Sequence, residues 1–520
     1  MSESQHDRDY ALEDSPVPRE AVMFTQLWCV PISEDKLVND VQRIYSELAK
    51  VEKRCIELDQ QLPKSEAELA RLLHCHQNLL EMHLEFFLMS QRTNLKSLAE
   101  KYRMPARMWR FGIHSLLVIL QYKRPQPLDY IWTFIYFAYL SITFLLENVS
   151  AFREIWMECL GDLARFGMEF EESDMRDHEV WAGIAGDWYR QAADRCPEAG
   201  RIQHDLAVVA WPDFLQQLFF YMKALVTVYP YDSAREGITL LFTRFEKEAL
   251  HQDAIITAFI ATHRAIFMRA PSHEFITLGN RFLAILRGEI CELRLKDQQA
   301  VYIVSCNIAS VLEYGDSEAM ISLDYFKRDG ETGTKKAHNM ALKSMSGQKQ
   351  NSSEAGNLIK SQITYQGYSL AFHTLSVLLH RMNDPNTFPS VHISMSFIWC
   401  LALHPSAMQQ LERYIPWIEI TSYLNSLIHS DTIVSKIEQA AFPLPGDGSI
   451  QQLPEDFLIR GQSWSQLYYP DGFFEDALPE YDRVIIENPL AATLRRYRCL
   501  WLGVRIAKVS KMLFLFSFTS

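Results

Sequence analysis

Helix-period apolar segments follow one another with hardly a break from position 33 to 326 and resume near 359. That leaves little chain from which to build a sheet. Short alternating runs between Gly/Asn turns are nearly absent, and 520 residues contain only 20 glycines and 21 prolines. The pattern predicts an all-α protein. Ser33 is placed to cap the first segment, and Pro105 suits the first turn of the segment that begins "MPARMWRFGIH". Successive segments are long enough to fold back on each other as antiparallel hairpins, and the chain holds material for two or more cores.

A repeat lies within this succession. Tetratricopeptide units run 34 residues, with small residues where two helices touch and proline at the end. In "ECLGDLARF", Leu160–Gly161 fits the first helix of such a unit. Ala185, Tyr189, Ala192 and Pro197 fit the second, with the stretch "EFEESDMRDHEV" inserted between them. An imperfect second unit follows at Leu206–Ala207, Tyr221, Ala224 and Pro230. Glycine inside a helix costs about 1 kcal/mol relative to alanine. At Gly161 the cost is offset if the facing helix comes close.

Composition narrows the function. The net charge is −13, opposite to that of a protein coating nucleic acid, so any nucleic-acid site must be a local basic patch. Nine scattered cysteines without a Cys-x-x-Cys pair read as reduced thiols of a nuclear or cytosolic protein. The acidic, polar stretch 1–30 is expected to be a disordered tail without secretory character. "IWTFIYFAYLSITFLL" is flanked by Asp129 and Glu147 and falls short of a membrane span. It is expected to be a helix buried on all sides, so no membrane partner is expected. Positions 327–357, polar and rich in Ser, Gly and Lys, read as a mobile insertion.

Catalytic signatures are missing, including nucleotide-binding loops and hydrolase motifs, so no enzyme activity and no cofactor are expected. "HCHQ" at 74–77 puts His74 and His76 on different helix faces, so no metal site is expected. The informative feature is a charge contrast. From 101 to 128 there are six basic residues and no acidic one: Lys101, Arg103, Arg107, Arg110, Lys123 and Arg124. At about 100° per residue, Arg107, Arg110 and His114 fall within about 60° of one another. Such a stripe is either a phosphate-binding face, since guanidinium groups bind phosphate bidentately, or a solvated face balancing nearby acids. Arg165 is either a ligand or the centre of a salt-bridge ladder with Glu158, Asp162 and Glu169. A last basic cluster holds Arg495, Arg496, Arg498, Arg505, Lys508 and Lys511, with Tyr497 and Trp501 interleaved. It is either a nucleic-acid surface or a closing helix that packs Trp501 inward.

Taken in order, "MPARMWRFGIHSLLVIL", "ECLGDLARF", "WYRQAADRCPEAGRIQHDLAVVA" and "LQQLFFYMKALVTVYPYDSARE" resemble the Est/Smg family. This family comprises telomerase-binding Est proteins and the Smg adaptors of nonsense-mediated mRNA decay. The late "LPEDF" and "CLWLGVRIA" resemble its C-terminal helical region, and the wording is similar to a fungal branch. The resemblance implies a 14-3-3-like tetratricopeptide domain over 31–235 and a helical-hairpin domain over 236–512. It implies a non-enzymatic adaptor, in nucleus and cytoplasm, whose groove binds phosphoserine segments, as on an RNA helicase of mRNA decay. Its alternatives are a telomerase-associated protein that binds telomeric single strands or telomerase RNA, and a diverged scaffold with neither ligand. By resemblance Arg165 matches a phosphate ligand. His114 falls where the family has a second, lysine ligand, and His204 falls near a peptide-binding asparagine.

Overall fold

In the computed structural model the described residues are 34–91, 96–122, 128–171, 175–248, 252–292, 296–326, 354–381, 386–443, 452–475, 477 and 489–509. The expected tail and most of the expected insertion, 327–353, lie outside them, as does Ser33. Positions 354–357 open a helix instead. Among the described residues there is no named strand, and pairing is limited to two isolated bridges, Ala199 with Tyr229 and Thr227 with Gln462. The all-α expectation therefore holds.

Contacts divide the chain into two units, 1–126 and 127–520. The first is built on a hairpin of α1 (Glu34–Gln61) and α2 (Glu66–Ser90). Ser65 starts α2 because its hydroxyl accepts from the Glu68 amide while Glu66 and Glu68 fill the first turn. Short helices α3 (Lys96–Lys101) and α4 (Met104–Arg107) follow, the latter with Pro105 in its first turn as expected. A π-helical turn, Met108–His114, then runs into α5 (Ser115–Tyr122). Leu72, Leu79, Phe86, Met108, Ile113 and Leu116 are buried along these elements.

The second unit begins with α6 (Leu128–Asn148), the apolar helix expected to be buried on all sides. By length and composition it could cross a bilayer. Only one flank is buried, through Ile131, Phe134, Ile135, Ala138, Ile142 and Leu145. Tyr136, Leu140 and Phe144 form an exposed stripe. Neighbouring side chains cover that flank and leave the stripe largely open.

Next come α7 (Arg153–Phe170) and α8 (Met175–Arg195), the two halves of the first expected repeat. Much of the inserted stretch between them lengthens both helices, and Gly167 carries the close contact on to Trp181. A Cβ on Gly161 would stand 2.5 Å from the buried Tyr189 ring. The glycine thus admits the ring, as its place in the repeat predicts. The second repeat follows as α9 (Gly200–Val209) and α10 (Phe214–Val226), the latter capped by Asp213. Its Tyr221 lies against Gly237 of α11 (Ala234–Glu248) with the same 2.5 Å clearance.

Beyond lie α12 (Ala254–Phe267), α13 (Ser272–Cys291), α14 (Asp297–Val311), α15 (Glu354–Leu379), α16 (Phe388–Ala402), α17 (Pro405–Leu411), α18 (Trp417–Ser426), α19 (Val434–Glu438), α20 (Pro454–Ile459) and α21 (Pro489–Val509). One hydrophobic core runs continuously from Ala207 to Ile506. The expected boundary at 235/236 falls inside α11, between the core residues Ala234 and Ile238. The chain's end is stitched to the repeats by backbone. Val228 donates to the Gly461 carbonyl at 3.2 Å and Ser463 to that of Val226 at 2.9 Å. Gly461 has φ +82°, and a Cβ there would overlap the Pro197 carbonyl, so only glycine closes the junction.

Candidate functional site

Of the stripe singled out from the sequence, Arg110 and His114 lie in the π-helical turn and Arg107 just before it. A π-helix closes its hydrogen bonds over five residues rather than four. A wheel drawn at α-helical pitch therefore misplaces the side chains. Arg107 leaves the expected stripe: its guanidinium grips Glu52 of α1 in two bonds of 3.0 and 3.1 Å, donates to the Tyr45 hydroxyl at 3.2 Å and lies over that ring. Burial lowers its basicity, but Glu52 and Tyr45 outweigh this and leave it raised, so its charge is fixed and matched. Arg110 and His114, one π-turn apart, are exposed. Arg110 lies over Phe111, and His114 stands 6.3 Å from Trp109. Lys101 and Arg103 are exposed nearby in sequence, and among the described residues no carboxylate pairs with Lys101, Arg103 or Arg110.

A second clamp holds the same turn. His76 is fully buried, with Nδ1 at 3.0 Å from the Gly112 carbonyl and Nε2 at 3.0 Å from Asp59 of α1. The histidine of "HCHQ" is thus a structural link, while His74 is exposed. Among the described residues no group of three or more His, Cys, Asp or Glu could hold a metal ion. Neither the Glu52–Arg107 pair nor the Asp59–His76–Gly112 chain has a sequence signal, because their separations follow no helical period.

Arg165 stands in the second unit among carboxylates. It donates to Glu169 at 2.8 Å, lies 3.9 Å from Asp162 and covers the Phe166 ring. Asp162 also accepts from the Tyr189 hydroxyl at 2.7 Å, the ring that fills the space over Gly161. Burial and the Asp205 charge push Asp162 up to about 7, against Arg165 and Tyr189, which pull it down. Burial opposes the Arg165 charge, but Tyr189, Asp162, Glu169 and Asp205 hold it in place. Two of the three expected ladder partners are therefore present; the third, Glu158, pairs with Arg201 of α9. His204, the expected peptide-binding position, is partly buried, bonds to Asp205 at 3.1 Å and sits edge-on to Tyr221 and Tyr231.

Of the two alternatives for the C-terminal basic cluster, the arginines at 495–498 fit the closing helix. Arg495 is buried and grips Glu455 at 2.7 and 2.8 Å. Arg498 has no exposed surface, bonds to Asp456 at 2.7 Å and lies between the Phe442 and Phe473 rings. Arg496 pairs with Asp431 in two bonds of 3.2 Å. Trp501 packs inward and donates to the Gln439 carbonyl at 3.1 Å. Arg495 and Arg498, three apart on one helix face, meet the adjacent carboxylates of "LPEDF". His392 completes the network, bonding to Glu455 at 3.0 Å and to the Tyr468 hydroxyl at 2.6 Å. Burial raises Glu455, but the hydrogen bonds from His392 and Arg495 outweigh it and hold the carboxyl far below the usual range.

Paired helices, a tetratricopeptide-like stretch and a sealed C-terminal region define the class, an all-α helical array. The family model for the Est1 DNA/RNA binding domain matches residues 185–376. The nonsense-mediated mRNA decay factor SMG7 of Arabidopsis thaliana is 33% identical over 87 residues. That match spans 16% of this chain and 8% of the relative's own length. A chain from the crystal structure of Est1 and Cdc13 superposes with a TM-score of 0.59 over 88% of this chain and 95% of its own. At 9% identity this shows the fold. The chain is thus similar to Est/Smg proteins through this domain and in its fold. His204 lies within the matched domain; Arg107, Arg110, His114, Arg165 and the 495–498 arginines lie outside it.

Proposed function

We propose that this protein is a non-enzymatic adaptor, nuclear and cytoplasmic, that binds phosphoserine-containing protein segments in nonsense-mediated mRNA decay or a related ribonucleoprotein. A phosphorylated RNA helicase of mRNA decay is the kind of partner this implies. One observation carries the reading. In a chain of net charge −13, Arg110 and His114 are held exposed on a π-turn that is clamped at both ends by α1 and α2, through Glu52–Arg107 and Asp59–His76–Gly112. The clamps fix the backbone from which Arg110 projects, and a charge-assisted contact of its guanidinium with phosphate is worth about 1.5–3 kcal/mol. Arg107 supports the turn rather than the ligand. Arg165 is a weaker candidate, since phosphate would have to displace Glu169.

A second reading, binding of telomeric single strands or telomerase RNA, is favoured by the DNA/RNA-binding domain match, though not by the C-terminal arginines. Fluorescence anisotropy with phosphorylated and plain serine peptides, and with single-stranded DNA and RNA at two salt concentrations, separates the two. Arg110→Glu is expected to weaken phosphopeptide binding at least tenfold. His114→Lys, which fixes a full charge at neutral pH, is expected to tighten it. Equal wild-type affinity for both peptides would overturn the phosphoserine reading.

A further inference from the structure

The hairpin of the first unit contains a feature that the phosphoserine reading does not use. Cys55 of α1 and Cys75 of α2 stand with their sulfurs 3.0 Å apart. Both are free thiols. A disulfide requires about 2.05 Å, so the two sulfurs need close by only about 1 Å. Exposure is divided between the two: Cys55 is fully buried, whereas Cys75 is partly open to solvent. The open thiol is also the better nucleophile. Its hydrogen bond with Cys55 lowers Cys75 below the usual thiol range, with His76 and Arg54 assisting, while the same bond and burial push Cys55 up. It is the thiolate that attacks.

We propose that Cys55 and Cys75 are a redox modification site, at which a low-molecular-weight disulfide such as oxidised glutathione closes a reversible bridge between α1 and α2. The Cys75 thiolate attacks one sulfur of the small disulfide, whose S–S bond breaks and releases one glutathione thiolate. Cys55 then gives up its proton and attacks the Cys75 sulfur, and the second glutathione leaves. The protein loses two protons and two electrons, and one glutathione disulfide becomes two glutathione thiols. Once Cys75 is in the mixed disulfide, its negative charge is gone, and with it part of what held the Cys55 proton. The bridge falls between the two clamps of the π-turn: Glu52 lies one turn before Cys55 and Asp59 one turn after it, and His76 adjoins Cys75. Oxidation therefore stiffens the frame that holds residues 108–114.

The test uses the full chain, equilibrated in glutathione buffers of graded oxidised-to-reduced ratio, quenched by alkylation and digested for mass spectrometry. In the wild type, the peptides holding Cys55 and Cys75 should be recovered joined, two hydrogens lighter, and separated by dithiothreitol. Cys55→Ser should stop at a single glutathione on Cys75, and Cys75→Ser should give neither product. The exposed Cys291 should take up glutathione without bridging and thus reports that the oxidant was effective. Cys55 and Cys75 still fully alkylated in a buffer that modifies Cys291 would overturn the proposal. So would bridges to other cysteines in equal yield. The wild-type digest decides this even if a serine variant folds poorly. The result is independent of phosphopeptide binding, so a failure here leaves that reading untouched, and the reverse holds as well.

Discussion

Replacing Arg498 by methionine would remove one partner of an ion pair that has no exposed surface on either side. Removing one member of a buried pair typically costs about 3–5 kcal/mol, because the other charge stays behind unmatched. Here Asp456 keeps its bonds from the Tyr469 hydroxyl at 2.9 Å and the Leu453 amide at 2.7 Å, so the lower end applies. The lost planar cation between Phe442 and Phe473 is replaced by a flexible side chain of similar length, which limits the cavity. At about 3 kcal/mol, and about 2–4 °C per kcal/mol for a large domain, the melting midpoint should fall by about 6–12 °C. Differential scanning fluorimetry reads this directly. Lys508→Met, on the exposed side of the same helix, should move it by no more than the about 0.5 kcal/mol typical of surface changes. Adding Asp456→Asn to Arg498→Met removes the orphaned charge and should restore part of the loss. A midpoint for Arg498→Met within a degree of wild type, together with additive single effects, would refute the sealed network. The 495–498 arginines would then be free for a ligand after all.

Two further perturbations probe the repeat. Gly161→Ala should destabilise by up to about 2 kcal/mol in urea titration: overpacking against the Tyr189 ring costs about 1–3 kcal/mol, and alanine's helix propensity returns only about 1. The ring cannot swing aside while its hydroxyl is tied to Asp162, and a gain in stability would show that it has room. Asp162→Asn should gain stability relative to the wild type as pH rises from about 4 to about 7, with no further gain above that. The folded state holds a proton on Asp162 up to about 7, whereas the unfolded chain releases it near the ordinary 3.9. The wild type therefore loses stability as pH climbs from the unfolded value to the folded one, and no more beyond it. A pH-independent difference between the two proteins would mean that Asp162 is ionised throughout.

Periodicity determined much of this protein. The helical segments, the Gly161–Tyr189 crossing, the inward turn of Trp501 and the family resemblance all rest on relations within one helix or between neighbouring helices, and such relations leave a pattern along the chain. What the sequence could not decide is where each charge goes. Arg107, Arg110 and His114 fall on one stripe only if the helix keeps α-helical pitch; a π-turn has no compositional mark, and it sends Arg107 to Glu52 while leaving Arg110 exposed. Arg495 and Arg498 read as a basic surface because their carboxylates, Glu455 and Asp456, lie some forty residues away. Asp59 and His76, or Cys55 and Cys75, meet only once α1 and α2 have folded back on each other. Hydrophobic patterning is local and survives in one dimension, whereas the pairing of buried polar groups is a property of three-dimensional neighbours and becomes visible only when the helices are packed.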